Sequence, residues 1–131
     1  MGQSIKIPSV YKNICEVEYF LNSIFKEINF SRKIYCKMYL STSEAVNNAI
    51  LHGNNKDSSK YVNITFEETE DHFMISVSDE GIGFDIHNIP NPTDKINLRK
   101  ESGRGIYIMK EYADKVRFSK NGAMVHLIFN K

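Results

Sequence analysis

The spacing of apolar residues along the chain predicts where helices and strands form. From Val10 onward, apolar residues recur at steps of three and four, which is the repeat of one helix face. The members of this stripe are Val10, Ile14, Val17, Leu21, Ile24 and Ile28. The stripe predicts a helix that faces a hydrophobic core, with a partner-binding stripe as the alternative. Residues 4–8, just before it, read as a short strand that Pro8 ends.

A second helical pattern covers residues 33–52. At about 100° per residue, one broad and mainly apolar side comprises Tyr35, Met38, Tyr39, Thr42, Ala45, Val46, Ala49 and Ile50. Glu44 and Asn48 fall on the other side, four residues apart, so they are neighbours on a face turned away from the main core. Gly53 is a plausible end of this helix.

The next two segments, residues 61–67 and 73–78, alternate apolar and polar residues with the period of two of a strand. Residues 69–72 between them suit a hairpin turn. The pattern then breaks, and residues 79–105 hold four of the seven glycines and two of the three prolines. A loop of this length inside a compact domain is usually functional or mobile.

A helical pattern resumes over residues 105–114, and residues 115–129 read as two strands joined by the tight-turn dipeptide Asn121-Gly122. The predicted order is therefore β-α-α-β-β-loop-α-β-β. This order predicts an α+β fold, a two-layer sandwich in which helices cover one face of a mixed, mainly antiparallel sheet. The length suits a single domain over residues 1–131.

Composition excludes several classes of protein. The formal net charge is +1 and no block of Lys or Arg stands out, which argues against direct binding to nucleic acid. No apolar run is long enough to span a bilayer, and no signal-peptide pattern opens the chain. We therefore expect a cytoplasmic protein without membrane contact.

The cysteines and histidines predict neither a disulfide nor a metal centre of their own. Cys15 and Cys36 fall in different predicted helices and form no C-x-x-C motif, so we expect two buried thiols. The four histidines lack metal-ligand spacing.

The first segment with candidate chemistry is the Glu44–Asn48 pair. The amide of Asn48 can offer an oxygen to a hard cation such as Mg²⁺. The carboxylate of Glu44 can accept a proton from an attacking hydroxyl or water. A solvated helix face without function also fits this pair.

The second segment begins at Asp79, which ends a predicted strand and is followed by Gly81 and Gly83. Glycines let a backbone approach a ligand closely, and a carboxylate there can accept hydrogen bonds from an amino group such as that of adenine. The segment lacks the third glycine and the following helix of a dinucleotide fingerprint. A glycine-rich turn with an exposed aspartate is the alternative.

The third segment holds Gly103 and Gly105, which we expect to precede a helix. Backbone N–H groups at a helix start form a ready phosphate site. No G-K-[ST] sequence follows, so this is not a P-loop. A helix start after a flexible loop is the alternative.

In this order, the sequences "EAVNNAILHGN", "DEGIGFD" and "SGRGI" resemble the N, G1 and G2 boxes of the GHKL, or histidine-kinase-like, ATPases. Three features restrict the resemblance to a smaller group within this superfamily. They are the short length, the sequence "SEAVNNAILHG" and the N-terminal strand and helix. The chain is similar to the anti-sigma-factor serine kinases of bacterial stress and sporulation switches. The resemblance covers nearly the whole chain.

The resemblance implies a role for each matching residue. Asn48 would coordinate Mg²⁺ that bridges the ATP phosphates, and Glu44 would be the catalytic base for a serine hydroxyl of a partner. Asp79 would bind the adenine amino group in a pocket shaped by Gly81 and Gly83. His52, at the end of the N box, would contact the ligand or serve as a core or cap residue.

The resemblance also implies that residues 84–102 form an ATP lid. The residues expected to close on the phosphates or contact the nucleotide there are Arg99, Lys100, Gly103, Arg104, Gly105 and Ile106. Lysine and arginine in the lid can neutralise triphosphate charge, although a solvated loop fits them equally. Many relatives have Gly-Thr in the last hairpin where this chain has Gly122-Ala123, so a hydroxyl that supports the adenine contact is missing.

The implied activity is that of a serine/threonine-protein kinase with ATP and Mg²⁺ as cofactors. It would phosphorylate a serine of a small antagonist protein, sequester a sigma factor and act as a homodimer. A non-catalytic, ATP-dependent binding module is the alternative, but the presence of both Glu44 and Asn48 favours the kinase. A histidine-kinase fragment is disfavoured because the first helix holds no histidine.

Overall fold

Five strands and three α-helices follow the predicted order in the part of the chain that the computed structural model describes. This part comprises residues 2–81 and 101–131, with only the backbone described for residues 101–104. The elements are β1 (Gly2–Pro8), α1 (Ile14–Ile28), α2 (Arg32–Asn48), β2 (Tyr61–Glu68), β3 (His72–Ser78), α3 (Glu101–Tyr112), β4 (Lys115–Ser119) and β5 (Met124–Asn130).

The strands form one sheet in the order β1-β2-β3-β5-β4. All four pairings between the described strands are antiparallel, which confirms the mainly antiparallel sheet of the predicted α+β fold. Ile64, Val77 and Val125 lie in register across three strands and are at most 7% exposed. The apolar positions of the alternating pattern therefore share one face, and the helices pack on it.

The apolar stripe of α1 faces the core, as predicted, through Val17, Phe20, Leu21 and Ile24. The predicted apolar stripe starts at Val10, but α1 begins only at Ile14 because a 3-10 turn at Tyr11–Asn13 lies between them. It ends at Ile28, where Asn29 takes a left-handed conformation with φ 59°.

Helix α2 begins where Ser31 accepts a hydrogen bond from the Ile34 N–H at 3.1 Å, a regular N-terminal cap. Its predicted apolar side is buried, with Met38, Ala45 and Val46 at most 3% exposed. A π-helical turn, Ala49–Gly53, follows Asn48 directly, so the helical segment ends at Gly53, as predicted. Gly53 does not take the left-handed conformation of a typical C-terminal glycine.

Helix α3 begins at Glu101, so the prediction that Gly103 and Gly105 precede the helix is wrong. Each glycine in a helix interior costs about 1 kcal/mol relative to alanine. The cost at Gly105 is offset by the contact that it permits with α2. Only the first four N–H groups of a helix lack a partner within it. Gly103 and Arg104 therefore lie in the turn that can present N–H groups to a ligand, and Gly105 lies beyond it.

The β4–β5 hairpin is wider than the predicted two-residue turn. Ser119 pairs with Met124, and Lys120, Asn121 and Gly122 all have positive φ values of 52°, 57° and 91°. Asn121 and Gly122 lie in the turn, as predicted, and Lys120 is a third turn residue with a positive φ.

The two cysteines are free, but both are exposed, so the prediction of buried thiols is wrong. Cys15 lies on the outer side of α1 and its thiol donates to the Lys12 carbonyl at 3.2 Å. Among the described residues, no helix is both long and apolar enough to cross a membrane. The same residues contain no cluster of three His, Cys, Asp or Glu side chains that could hold a metal ion.

Candidate functional site

Glu44 and Asn48 meet α3 at Gly105. A β-carbon added to Gly105 would lie 3.1 Å from Asn48 Nδ2, 3.2 Å from Asn48 Oδ1 and 3.2 Å from Glu44 Oε2. The ends of both side chains therefore approach the same point of the α3 backbone. Both residues are half-buried and lie off the core-facing side of α2, as the helical pattern predicts. The fold thus brings together two of the three segments that carry candidate chemistry.

Gly105 has a steric reason to be glycine. Contacts of 3.0–3.4 Å at a β-carbon are tighter than ordinary van der Waals contact. A side chain at this position would push against the carboxylate of Glu44 and the amide of Asn48. Glycine lets α3 approach α2 while leaving both polar groups in place.

Asp79, from the second segment, packs directly over Gly53 at the end of the first. A β-carbon on Gly53 would collide with Cγ and Oδ2 of Asp79, so a side chain at this position would displace the carboxylate. Gly81 is equally confined, since its β-carbon would lie 2.2 Å from the Gly53 carbonyl oxygen. The helical segment ends at Gly53, as predicted, and the missing side chain there also makes room for Asp79.

Two backbone hydrogen bonds orient Asp79. Its N–H donates to the Ala123 carbonyl at 2.9 Å, and its Oδ1 accepts from the Gly81 N–H at 2.8 Å. Burial raises the pKa of the Asp79 carboxyl above its ordinary value, while the Gly81 N–H and the positive charge of Lys60 act in the opposite direction. A carboxylate with one oxygen bonded in this way retains acceptor capacity for an amino group of a ligand.

Ala123 lies where the resemblance to the GHKL ATPases leads us to expect threonine. Its carbonyl holds the Asp79 backbone, and its side chain is only 6% exposed. The backbone contact to the aspartate is therefore present in this chain, but no hydroxyl accompanies it.

His52 and Ile106 have contrasting surroundings. His52 is exposed, so the core alternative for it is wrong. Ile106 is 5% exposed and belongs to the hydrophobic core. A nucleotide contact by either residue stays a prediction.

Several predicted site residues lie outside the described part of the chain. Gly83, Arg99, Lys100 and most of the predicted lid at residues 84–102 fall between residues 82 and 100. The backbones of Gly103 and Arg104 belong to the first turn of α3.

Asn54 is a site neighbour that sequence reasoning missed. Its side chain is completely buried. Nδ2 donates to Ser9 Oγ at 2.7 Å and to the Tyr61 carbonyl at 3.0 Å, and Oδ1 accepts from the Glu80 N–H at 2.8 Å. In the sequence, Asn54 only opens a polar loop, and nothing there signals burial.

The donor groups fit a magnesium nucleotide. Asn48 supplies an amide oxygen of the kind that Mg²⁺ prefers as a ligand, Glu44 supplies a carboxylate that can accept a proton, and Asp79 supplies an acceptor for an amino group. A ligand with an amino-bearing base at one end and phosphates at the other offers a partner both to Asp79 and to Asn48.

The family model and the similar proteins found by comparison agree with one another. A family model described as a histidine kinase-like ATPase domain matches residues 7–129. The serine-protein kinase RsbW of Oceanobacillus iheyensis is 26% identical over 128 residues, covering 92% of this chain and 81% of that protein. RsbW of Bacillus licheniformis is 28% identical over 119 residues (86% and 74%), and RsbW of Bacillus subtilis is 24% identical over 126 residues (92% and 79%).

A solved structure shares the fold. The crystal structure of the RsbU and RsbW domains of a Mycobacterium tuberculosis protein superposes with a TM-score of 0.67 at 15% identity. The match covers 98% of this chain, which spans about a third (32%) of that longer chain. At this identity the likeness shows the fold alone.

Proposed function

The chain belongs to the family of histidine kinase-like ATPase domains, and from this premise we propose that it is an ATP-dependent protein serine kinase that acts as an anti-sigma factor. Residues 1–131 form one domain, and the protein is cytoplasmic and acts as a homodimer. It phosphorylates a serine of a small antagonist protein and sequesters a sigma factor. The similarity to proteins named serine-protein kinase RsbW supports this proposal.

The observation that carries the proposal is the meeting of three segments that are distant in the sequence, with the end of α2 in the middle. Gly105 of α3 lies beside the ends of the Glu44 and Asn48 side chains, and Asp79, directly after β3, covers Gly53. A solvated helix face would need neither close approach. The arrangement supplies a separate group for each part of the reaction: Asp79 for the adenine base, Asn48 for the metal-bound phosphates and Glu44 for the proton of the attacking hydroxyl.

Each residue has one task in this proposal. Asn48 Oδ1 holds Mg²⁺, and Asp79 accepts a hydrogen bond from the adenine amino group. Glu44 takes the proton from the attacking serine hydroxyl. The first turn of α3, with Gly103 and Arg104, directs backbone N–H groups toward phosphate. Bound Mg-ATP supplies the phosphoryl group and the divalent charge that offsets its oxygens.

Replacing Asp79 by asparagine is expected to weaken ATP binding. The loss of binding free energy should be at least as large as that of a hydrogen bond to a charged group, about 1.5–3 kcal/mol. The amide oxygen can still accept from Gly81, but the other end of the side chain becomes a donor that faces the adenine amino group. Calorimetric titration of ATP and of GTP with Mg²⁺ measures the effect. Asp71→Asn, at an exposed position in the β2–β3 turn, is the matched control. GTP binding to the wild-type protein as tight as ATP binding would remove the adenine assignment.

The same variant is expected to keep or raise thermal stability at neutral pH. Because the folded-state pKa of Asp79 is raised, its contribution to stability is present at low pH and is lost as pH rises through that pKa. The ionised carboxylate therefore costs stability at neutral pH, and the neutral amide removes this cost. A melting curve followed by circular dichroism tests this. A much lower midpoint for Asp79→Asn would show that the carboxylate is structural.

A further inference from the structure

We propose that Asn54 is the positioning residue for base recognition, because its buried amide holds the loop that starts at Asp79 against the end of α2. The inference rests on the proposed function and deepens it. It adds a residue that does not touch the nucleotide but determines how well adenine is distinguished from guanine.

The hydrogen bonds of Asn54 join three segments that are far apart in the sequence. These are Ser9 after β1, Tyr61 at the start of β2 and Glu80 after β3. Both amide hydrogens meet an acceptor, and the amide oxygen meets a backbone donor. The donors and acceptors around it therefore fix the orientation of the amide.

Asn54 anchors both sides of the contact between Asp79 and Gly53. It is the covalent neighbour of Gly53, whose missing side chain makes room for the Asp79 carboxylate. It also bonds the N–H of Glu80, the residue directly after Asp79. Losing the amide removes the bond to the Glu80 backbone, while the bond from the Tyr61 N–H to the Glu80 carboxylate and the bond from the Asp79 N–H to the Ala123 carbonyl remain. The Asp79 carboxylate and its bond to the Gly81 N–H are then held less firmly.

The metal-binding end of the site is held differently. The Asn54 backbone N–H donates to the Ala49 carbonyl at 2.8 Å, and that bond does not depend on the side chain. Asn48 lies in α2 beside Gly105 of α3, and neither residue is among the hydrogen-bond partners of the Asn54 amide. A change of the Asn54 side chain should therefore affect recognition of the base and leave phosphate binding intact.

The test compares Asn54→Ala with the wild-type protein by calorimetry, using ATP, GTP and inorganic tripolyphosphate, each with Mg²⁺. The preference for ATP over GTP is expected to fall about tenfold, equivalent to one buried hydrogen bond. Affinity for tripolyphosphate, which has no base, is expected to stay within about twofold. A residue that only stabilises the fold would not separate these two measurements.

Ser76→Ala is the matched control. It also removes a buried polar group, since Ser76 is 3% exposed and bonds His126 Nδ1 at 2.8 Å, but on the opposite face of the sheet. It is expected to keep the wild-type preference for ATP. An equal loss of preference in this control would show that the effect comes from general loosening of the fold and would overturn the proposal.

A folded Asn54→Ala protein with the wild-type preference for ATP would also overturn it, while leaving the role of Asp79 intact. A wild-type protein without preference for ATP would instead contradict the proposed function. If Asn54→Ala fails to unfold cooperatively, Ser9→Ala replaces it, because it removes only one of the two acceptors of the amide. That variant is expected to lower the preference about threefold. An unchanged preference there would contradict the proposal.

Discussion

Replacing Glu44 by glutamine is expected to lower phosphoryl transfer to a serine by roughly 10²–10⁴, the usual contribution of a positioned general base, while Mg-ATP still binds. Glutamine keeps the shape of the side chain beside Gly105, and Asn48 keeps its place for the metal. Some activity should remain, because phosphoryl transfer depends heavily on positioning and charge stabilisation. Label transfer from γ-labelled ATP, run beside an ATP titration, measures both properties.

Glu111→Gln is the control for this variant, since it makes the same chemical change at an exposed position on α3. It is expected to transfer label at the wild-type rate. Full transfer by Glu44→Gln would reduce Glu44 to a helix-surface residue. Loss of binding together with transfer would mean that Glu44 organises the metal site.

Replacing Asn48 by alanine is expected to remove the metal ligand and to weaken binding of the Mg-triphosphate on the order of 100-fold, the upper range for a contact to a charged group. The fold should persist, because Asn48 is half-buried and lies off the core-facing side of α2. Titration with Mg-ATP measures the affinity, and a melting curve measures stability.

Asn47→Ala is the matched control, as Asn47 is its half-buried neighbour in α2. It is expected to bind Mg-ATP like the wild-type protein. An Asn48→Ala protein that melts far below the wild-type protein, or does not fold, would show that Asn48 is a structural residue.

Periodicity predicted the elements well because most of them bury one face. The alternation that runs through Ile64 and Val77 gave the correct face of the sheet, and the stripe through Val17 and Leu21 gave the core side of α1. The element boundaries depended on contacts that a local pattern does not contain. Gly103 and Gly105 were expected to precede α3, but both lie within it, and Gly105 is where α3 approaches α2 closely.

The site was predicted in part for a similar reason. Helical spacing was enough to place Glu44 beside Asn48. The contact of Asp79 with Gly53 joins residues that are distant in the sequence, and no local spacing reveals it. Asn54 escaped prediction because a buried amide in a polar loop has no periodic signal, although its three hydrogen bonds make it central to the structure.

Label transfer by the wild-type protein tests the central proposal most directly. The acceptor is the small antagonist with a phosphorylatable serine, sought first among the proteins encoded beside this gene. With γ-labelled Mg-ATP, we predict label on a serine of that protein, and no label when the serine is replaced by alanine. A wild-type protein that binds Mg-ATP but labels no serine would contradict the kinase and favour a non-catalytic, ATP-dependent binding module.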